Sequence, residues 1–272
     1  MDITIAQDNN VTLLKDWINF YEPYCRLIDV PADGMCGWFC LAVSAQYFTD
    51  NPLRRREDGT GWKQHAWKHM SFMRNAVVEE VLNACKTLSK KSDPQANQEA
   101  EHVLGGFYPD PSKRYKLTLK DRIRYVETTA RKLLKNSTGN RPYDLNTWFG
   151  NQWGNVVAKV IKRQVVVVGE NVGGKDNVVF TLHTPRYLKG YSFTEFGEGT
   201  PRMGGTSYAL LKDLKKAIEE VNLDFSIVFP PVWLHYNAAT SHFKYYHEKC
   251  PPSTNIALAE SLPSGEMTAP RP

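Results

Sequence analysis

An α/β fold, with a mixed sheet set between helices and a helical insertion in its first half, is what this sequence predicts. Three observations predict it. Short β-branched or aromatic runs at 165–168, 178–182, 225–229, 233–236 and 243–246 have strand length and cluster in the second half. Apolar residues recur at helical spacing in 13–21, 67–88, 117–134 and 210–221, with charged residues between them. Between about 51 and 137 charges become frequent and strand patterns disappear, which marks a helical segment placed inside the main fold.

The elements follow in order. Leu13, Leu14, Trp17, Ile18 and Tyr21 share one face of a short amphipathic helix. Asp29-Val30-Pro31-Ala32-Asp33-Gly34 reads as a loop, because Pro and Asp-Gly are turn chemistry. Phe39, Leu41, Ala42, Val43, Ala45 and Tyr47 then make a helix that is apolar on nearly all sides and therefore buried. Pro94, Gly105-Gly106, Pro109 and Pro111 mark the stretch between the two long helices of the insertion as a connector. A helix over 155–162 leads into the 165–168 strand. The tail over 251–272, rich in Pro, Ser and small residues, is expected to be disordered. The domain reading is one unit over 1–250 with 51–137 inserted.

Composition narrows the function classes. Hydrophobic residues at 42% and charged residues at 23% describe a globular protein with a core of its own. A net charge of +5, with basic and acidic residues interspersed, does not form the basic stripe that nucleic acid requires, so no nucleic-acid partner is expected. The apolar runs are too short for a bilayer span, and the N-terminus lacks a signal-peptide pattern. Five cysteines with neither disulfide-framework nor zinc-knuckle spacing suit a soluble protein in a reducing compartment.

One cysteine has a context. Cys36 follows Asp33-Gly34-Met35, where a turn opens into the buried helix. A thiol attacks as thiolate, and a helix N-terminus and a neighbouring histidine both favour that anion. Backbone N–H groups of Asp33, Gly34 and Met35 are placed to meet a developing oxyanion. The partner segment is Trp233-Leu234-His235-Tyr236-Asn237, a short polar loop, then Ser241-His242-Phe243, which reads as a hairpin. A histidine at a strand start can aim at a helix end, which favours His242 as base over His235 inside a strand. Gly169 to Lys175 imitates a phosphate loop, but Asp176 stands where Ser or Thr is needed and a strand follows, so it reads as a hairpin turn. His65 and His69 lack the glutamate of a zinc-protease helix.

These residues carry a resemblance. Asp33-Gly34-Met35-Cys36-Gly37-Trp38-Phe39 resembles the D-G-x-C-x-x-[FL] signature around the nucleophile of ovarian-tumour (OTU) cysteine proteases. His242-Phe243 is similar to that family's catalytic histidine segment, and Trp153-Gly154 to its middle motif. The resemblance implies a papain-like core and a deubiquitinase that hydrolyses isopeptide bonds at the ubiquitin C-terminus without metal or cofactor. It implies Cys36 as nucleophile, His242 as base, and ubiquitin or polyubiquitin as partner. The family's usual third residue stands two after the histidine, and here that is Lys244. Asp29, in the loop ahead of Cys36, is then the candidate acid, with Asn237 as the alternative. The insertion resembles the ubiquitin-binding helical lobe of bacterial OTU effectors that act in host cytosol. A protease for another ubiquitin-like modifier, or a catalytically weak ubiquitin-binding module, are the alternative readings.

Overall fold

The structure is a computed structural model, described for residues 13–30, 34–44, 62–90, 93–107, 118–135, 149–171, 176–187, 205–225, 227 and 230–248. Asp33, Cys250 and the 251–272 tail lie outside the described residues. In chain order the elements are α1 (Leu14–Tyr21), β1 (Cys25–Ile28), α2 (Cys36–Ser44), α3 (Trp62–Ser89), α4 (Pro94–Leu104), α5 (Leu119–Lys135), α6 (Asn151–Ile161), β2 (Val165–Glu170), β3 (Val178–His183), β4 (Thr206–Tyr208), α7 (Leu211–Phe225), β5 (Val232–Asn237) and β6 (His242–Glu248). The fold is mixed α and β: one six-stranded sheet in the order β1-β6-β5-β2-β3-β4, with helices on both faces. Among the described residues only the β2–β5 pairing is parallel.

The run of four valines at the start of β2 is explained by this layering. Side chains alternate across a strand, so a strand covered on both faces has no polar side to show. Val165 and Val167 enter the core beneath α2 and α6, while Val166 and Val168 enter a second core with Trp17, Phe180, Leu214 and Trp233. The sheet is thus the middle of three layers, with α2 to α6 on one side and α1 and α7 on the other.

The helices of the 51–137 segment share a core with the rest. Met70, Met73, Val77 and Val81 of α3, Val103 of α4 and Leu133 of α5 belong to the same cluster as Trp38 of α2 and Trp153 of α6. Three expectations need correction. The supposed connector contains α4: the Asp93 carboxylate accepts from the N–H groups of Gln95 and Ala96, both at 3.0 Å, and Pro94 occupies the first turn, where its missing N–H costs nothing. The helix expected from 155 begins at Asn151, so Trp153-Gly154 lies inside it. At its described positions the 225–229 stretch is not strand: Phe225 ends α7, and the Ile227 N–H donates to the Asn222 carbonyl at 3.0 Å. Residues 226, 228 and 229 lie outside the described residues. Strands β1 and β4, four and three residues long, carry too little pattern to be read without the sheet they join. The Gly169–Lys175 stretch sits between antiparallel strands with Glu170 opposite Val178, a hairpin connection, although 172–175 lie outside the described residues.

A buried polar cluster joins α4, α6 and β3. His102 Nε2–H donates to the Thr184 carbonyl at 2.8 Å, Asn155 Nδ2 donates to the His102 carbonyl at 3.1 Å, and His183 Nδ1 donates to Asn155 Oδ1 at 3.3 Å. Gly154 makes room for this cluster, since a Cβ there would stand 2.2 Å from His183 Nδ1. Burial pushes the His102 imidazole down to about 4, against the opposing pull of the Thr184 carbonyl. In the unfolded chain a histidine binds its proton near 6.5. Between those values the unfolded state holds a proton that the native state lacks, so stability is full above about pH 6.5 and falls as pH drops toward 4. The loss is about 3 kcal/mol across that window. Urea midpoints measured from pH 7 to 4 should show this slope, and His102→Gln should make it shallower, with His235, which burial also pushes down, supplying the remainder.

Candidate active site

Cys36 opens α2, and the Phe39 N–H donates to the Met35 carbonyl at 2.9 Å, which sets Met35 immediately ahead of the helix. Gly34 adopts φ 79°, a left-handed conformation that glycine takes without steric cost, and so turns the chain into the helix. Every residue of α2 from Cys36 to Val43 is buried. Cys36 is 6% exposed and lines a cleft of about 220 Å³ with Gly34, Gly37, Phe149, Tyr236, Ser241 and Phe243. Cys40, one turn further, is wholly buried; burial pushes its thiol well up, with the nearby Cys36 and Asp29 adding to the shift. It stays protonated and unreactive at neutral pH.

The opposite wall is the β5–β6 hairpin. Tyr236, Ser241 and Phe243 line the cleft together with Cys36, the last two flanking His242. Ser241 takes φ 52° at the turn, and His242 is the first residue of β6. His242 Nε2 lies 2.6 Å from Asp29 Oδ1, and Lys244 Nζ lies 3.6 Å from Asp29 Oδ2. The sheet explains this meeting. β1 runs antiparallel to β6 with Ile28 opposite Tyr245, so one step further residue 29 comes level with Lys244. Period-two alternation places His242 and Lys244 on the same face. Slight burial raises the Asp29 carboxyl, but the His242 hydrogen bond, the Lys244 ammonium and the Val30 N–H outweigh it and hold it below the usual carboxylate range. The lysine at the resemblance's acid position therefore faces the acid supplied from elsewhere.

Asn237 lies directly opposite His242 in the β5–β6 ladder, but its side chain is engaged differently. Its Nδ2 donates to Glu170 Oε1, and its Oδ1 accepts from the Thr240 N–H at 3.1 Å. His235, the competing base, is buried away from the cleft. Trp17 Nε1–H donates to Tyr246 Oη at 2.8 Å, so that hydroxyl has its proton available for His235 Nδ1, also at 2.8 Å. His235 must then carry its own proton on Nε2, which donates to Glu170 Oε2 at 2.9 Å. Burial pushes His235 down and outweighs the Glu170 carboxylate, so this contact joins a neutral imidazole to a carboxylate.

Phe149, Gly150, Gln152 and Glu170 are site residues that the sequence did not single out. Nothing local distinguishes them; they become visible only when α6 and β2 are placed. Among the described residues no group of three or more His, Cys, Asp or Glu is arranged to hold a metal, and no helix is long and apolar enough to cross a membrane. None of Cys25, Cys36, Cys40 and Cys85 is in a disulfide.

No family model matches the chain, and no curated protein matches it. Among solved structures it is similar to the Hazara virus OTU bound to ubiquitin, with 14% identity and a TM-score of 0.34, over 91% of this chain and 94% of that one.

The cleft wall sets a mutational expectation. A Cβ on Gly37 would stand 2.7 Å from Phe149 Cβ, and Phe149 is wedged between Trp38 and Phe243 with ring centroids 5.5 and 5.3 Å away. Alanine gains up to about 1 kcal/mol of helix propensity, but overpacking of this kind costs about 1–3 kcal/mol. Gly37→Ala should therefore lower stability by up to roughly 2 kcal/mol net, read as a lower urea midpoint.

Proposed function

We propose that the protein is a cysteine deubiquitinase of the OTU type. The observation that carries this reading is one cleft lined by Cys36, at the start of a buried helix, and by the residues flanking a histidine that an aspartate holds. Asp29 occupies Nε2 of His242, which leaves Nδ1 for the thiol. His242 takes the Cys36 proton, and the thiolate attacks the carbonyl carbon of the scissile isopeptide bond. The tetrahedral oxyanion is met by N–H groups at the start of α2. Collapse breaks the C–N bond as imidazolium protonates the departing lysine amine, and water, activated by the same imidazole, hydrolyses the thioester. Asp29 stabilises the imidazolium throughout.

The cleft's lining supports a ubiquitin C-terminus as substrate. Gly34, Gly37 and Gly150 bring no side chain of their own to the lining, which suits an extended chain of small residues. The segment from 51 to 137 supplies a docking face in this reading, with Phe72 of α3 55% exposed and Leu119 of α5 43% exposed. A protease for another ubiquitin-like modifier would share the mechanism and differ at that face.

Incubation with ubiquitin bearing a C-terminal electrophile should give one covalent adduct that Cys36→Ala abolishes and Cys40→Ala retains. No adduct, or one that survives Cys36→Ala, ends the reading. Asp29→Ala should lower kcat/KM for diubiquitin by roughly ten- to a thousandfold, about 1.4–4 kcal/mol. Phe72→Asp should raise KM at least threefold (our order-of-magnitude expectation for one rim contact) with kcat unchanged. An unaltered KM in both Phe72→Asp and Leu119→Asp removes the docking role.

A further inference from the structure

We infer that Glu170 is a positioning residue for His242, acting through Asn237; this rests on the thiol chemistry proposed above but not on its substrate. The strand register places the three residues in one row across the sheet. Glu170 of β2 is level with Asn237 of β5 in the parallel pairing, and Asn237 is level with His242 of β6 in the antiparallel one. Directly opposed residues share a face, with Cβ atoms about 4.5–5.5 Å apart. His242 therefore stands between two walls. On one side is Asp29, which binds its Nε2; on the other is the Asn237 carboxamide, which cannot turn because both of its ends are engaged.

Glu170 is itself fixed. One carboxylate oxygen accepts from Asn237 and the other from His235, while the Glu170 carbonyl accepts from the Ala238 N–H at 3.1 Å. His235 is held in turn by Tyr246, and Tyr246 by Trp17, whose ring is fully buried. The chain of bonds runs from the second core to the turn before His242. It has a direction at every step: each hydrogen atom has one acceptor, so the Asn237 amide can point only one way. Asn237 Oδ1 then accepts from Thr240 N–H, which shapes the turn that ends in Ser241 with φ 52°. A histidine at a strand start has freedom in its first residue, and this network removes it.

The test is a double-mutant cycle that conserves every bond. Glu170→Gln alone turns an amide toward the Asn237 amide, and Asn237→Asp alone sets two carboxylates together. Combined, the glutamine introduced on β2 donates to the aspartate introduced on β5 and still accepts from His235, and that aspartate still accepts from the Thr240 N–H. The readout is alkylation of Cys36 by iodoacetamide across pH 5 to 9, which reports the thiolate held by His242 and needs no ubiquitin. The titratable groups bordering the pair among the described residues are Asp29 beyond β1, Lys244 on β6, Cys40 on α2 and the His235–Glu170 pair behind Asn237.

Each single variant should alkylate about three- to tenfold more slowly at pH 6 and show a rate profile displaced to higher pH, as expected when the imidazolium partner of the thiolate is misplaced. The double variant should return to within about threefold of the native rate. A purely structural role would lower the melting temperature and leave the profile in place. If Glu170→Gln does not fold, Asn237→Asp and Asn237→Ser, at the half-buried end of β5, carry the test. Profiles that match the native one, a double variant that loses as much as both singles combined, or a native Cys36 that titrates like an ordinary thiol near 8.5 would each overturn the inference. A native protein that shows the low-pH profile yet ignores the ubiquitin probe would remove the proposed substrate and leave this inference standing.

Discussion

Between α2, which carries Cys36, and β6, which carries His242, the contact is aromatic, and it is built from rings that no single segment supplies. Phe107 after α4 meets Trp153 of α6 edge-on at 4.7 Å; Trp153 meets Trp38 of α2 at 5.5 Å. Trp38 meets Phe149 at 5.5 Å, Phe149 meets Phe243 of β6 at 5.3 Å, and Phe243 meets Tyr236 of β5 at 4.7 Å. Most of these pairs are edge-to-face or tilted, the orientations that the ring quadrupole favours, and each is worth about 0.5–1.5 kcal/mol beyond its buried area. The line fixes the one distance that chain connectivity cannot, because the helix and the hairpin come from opposite ends of the chain. Gly37 is part of it: without a Cβ, α2 can lie directly against Phe149.

The sheet then sorts polar from apolar around that line. On β6, Phe243 and Tyr245 enter the core under α2, while His242, Lys244 and Tyr246 face the other way. That face carries two histidines with opposite environments. His235 lies in mid-strand under α1, where burial keeps it neutral and two neighbours use both ring nitrogens. His242 lies at the strand's end, where the sheet stops covering it and an exposed carboxylate takes one nitrogen. The same side chain is locked between two partners in one place and bound to an exposed carboxylate in the other, and the difference is seven residues along a hairpin.

How much of this could be read in advance depends on the range of the interaction responsible. The helices α1, α2, α3, α5 and α7 and the strands β2, β3, β5 and β6 follow from local periodicity, and the structure has them within a few residues. The element α4 was hidden because Pro94 and Gly105-Gly106 read as breakers, although Asp93-Pro94 is as much a helix start as a turn. Phe225 to Phe229 has strand composition, yet the amphipathic period of α7 continues to Phe225, and cooperative helix growth prevails over a short β-prone run. At the site, Cys36 and His242 were marked by motif. The contact of Asp29 with His242 needs β1, whose four residues show no pattern, to deliver the aspartate to the right level of β6. Glu170 was invisible for the same reason, since its role follows from the register of three strands.

The buried guanidinium of Arg74 connects the helical segment with the start of α2. A buried cation without a carboxylate is costly, and burial pushes Arg74 down to about 10, so it remains charged at neutral pH. Its partner is the carbonyl of Leu133 in the last turn of α5, at 2.5 Å, where the helix leaves carbonyls unsatisfied and its dipole is negative. The other arm of the guanidinium reaches the Met35 sulfur at 3.9 Å, one residue before Cys36. Among the described residues a carbonyl at a helix end thus stands where a carboxylate would, and the same side chain reaches the residue ahead of Cys36. The helices of this segment share the α2 core and reach the residue before Cys36, so their packing belongs to the cleft as much as the sheet does.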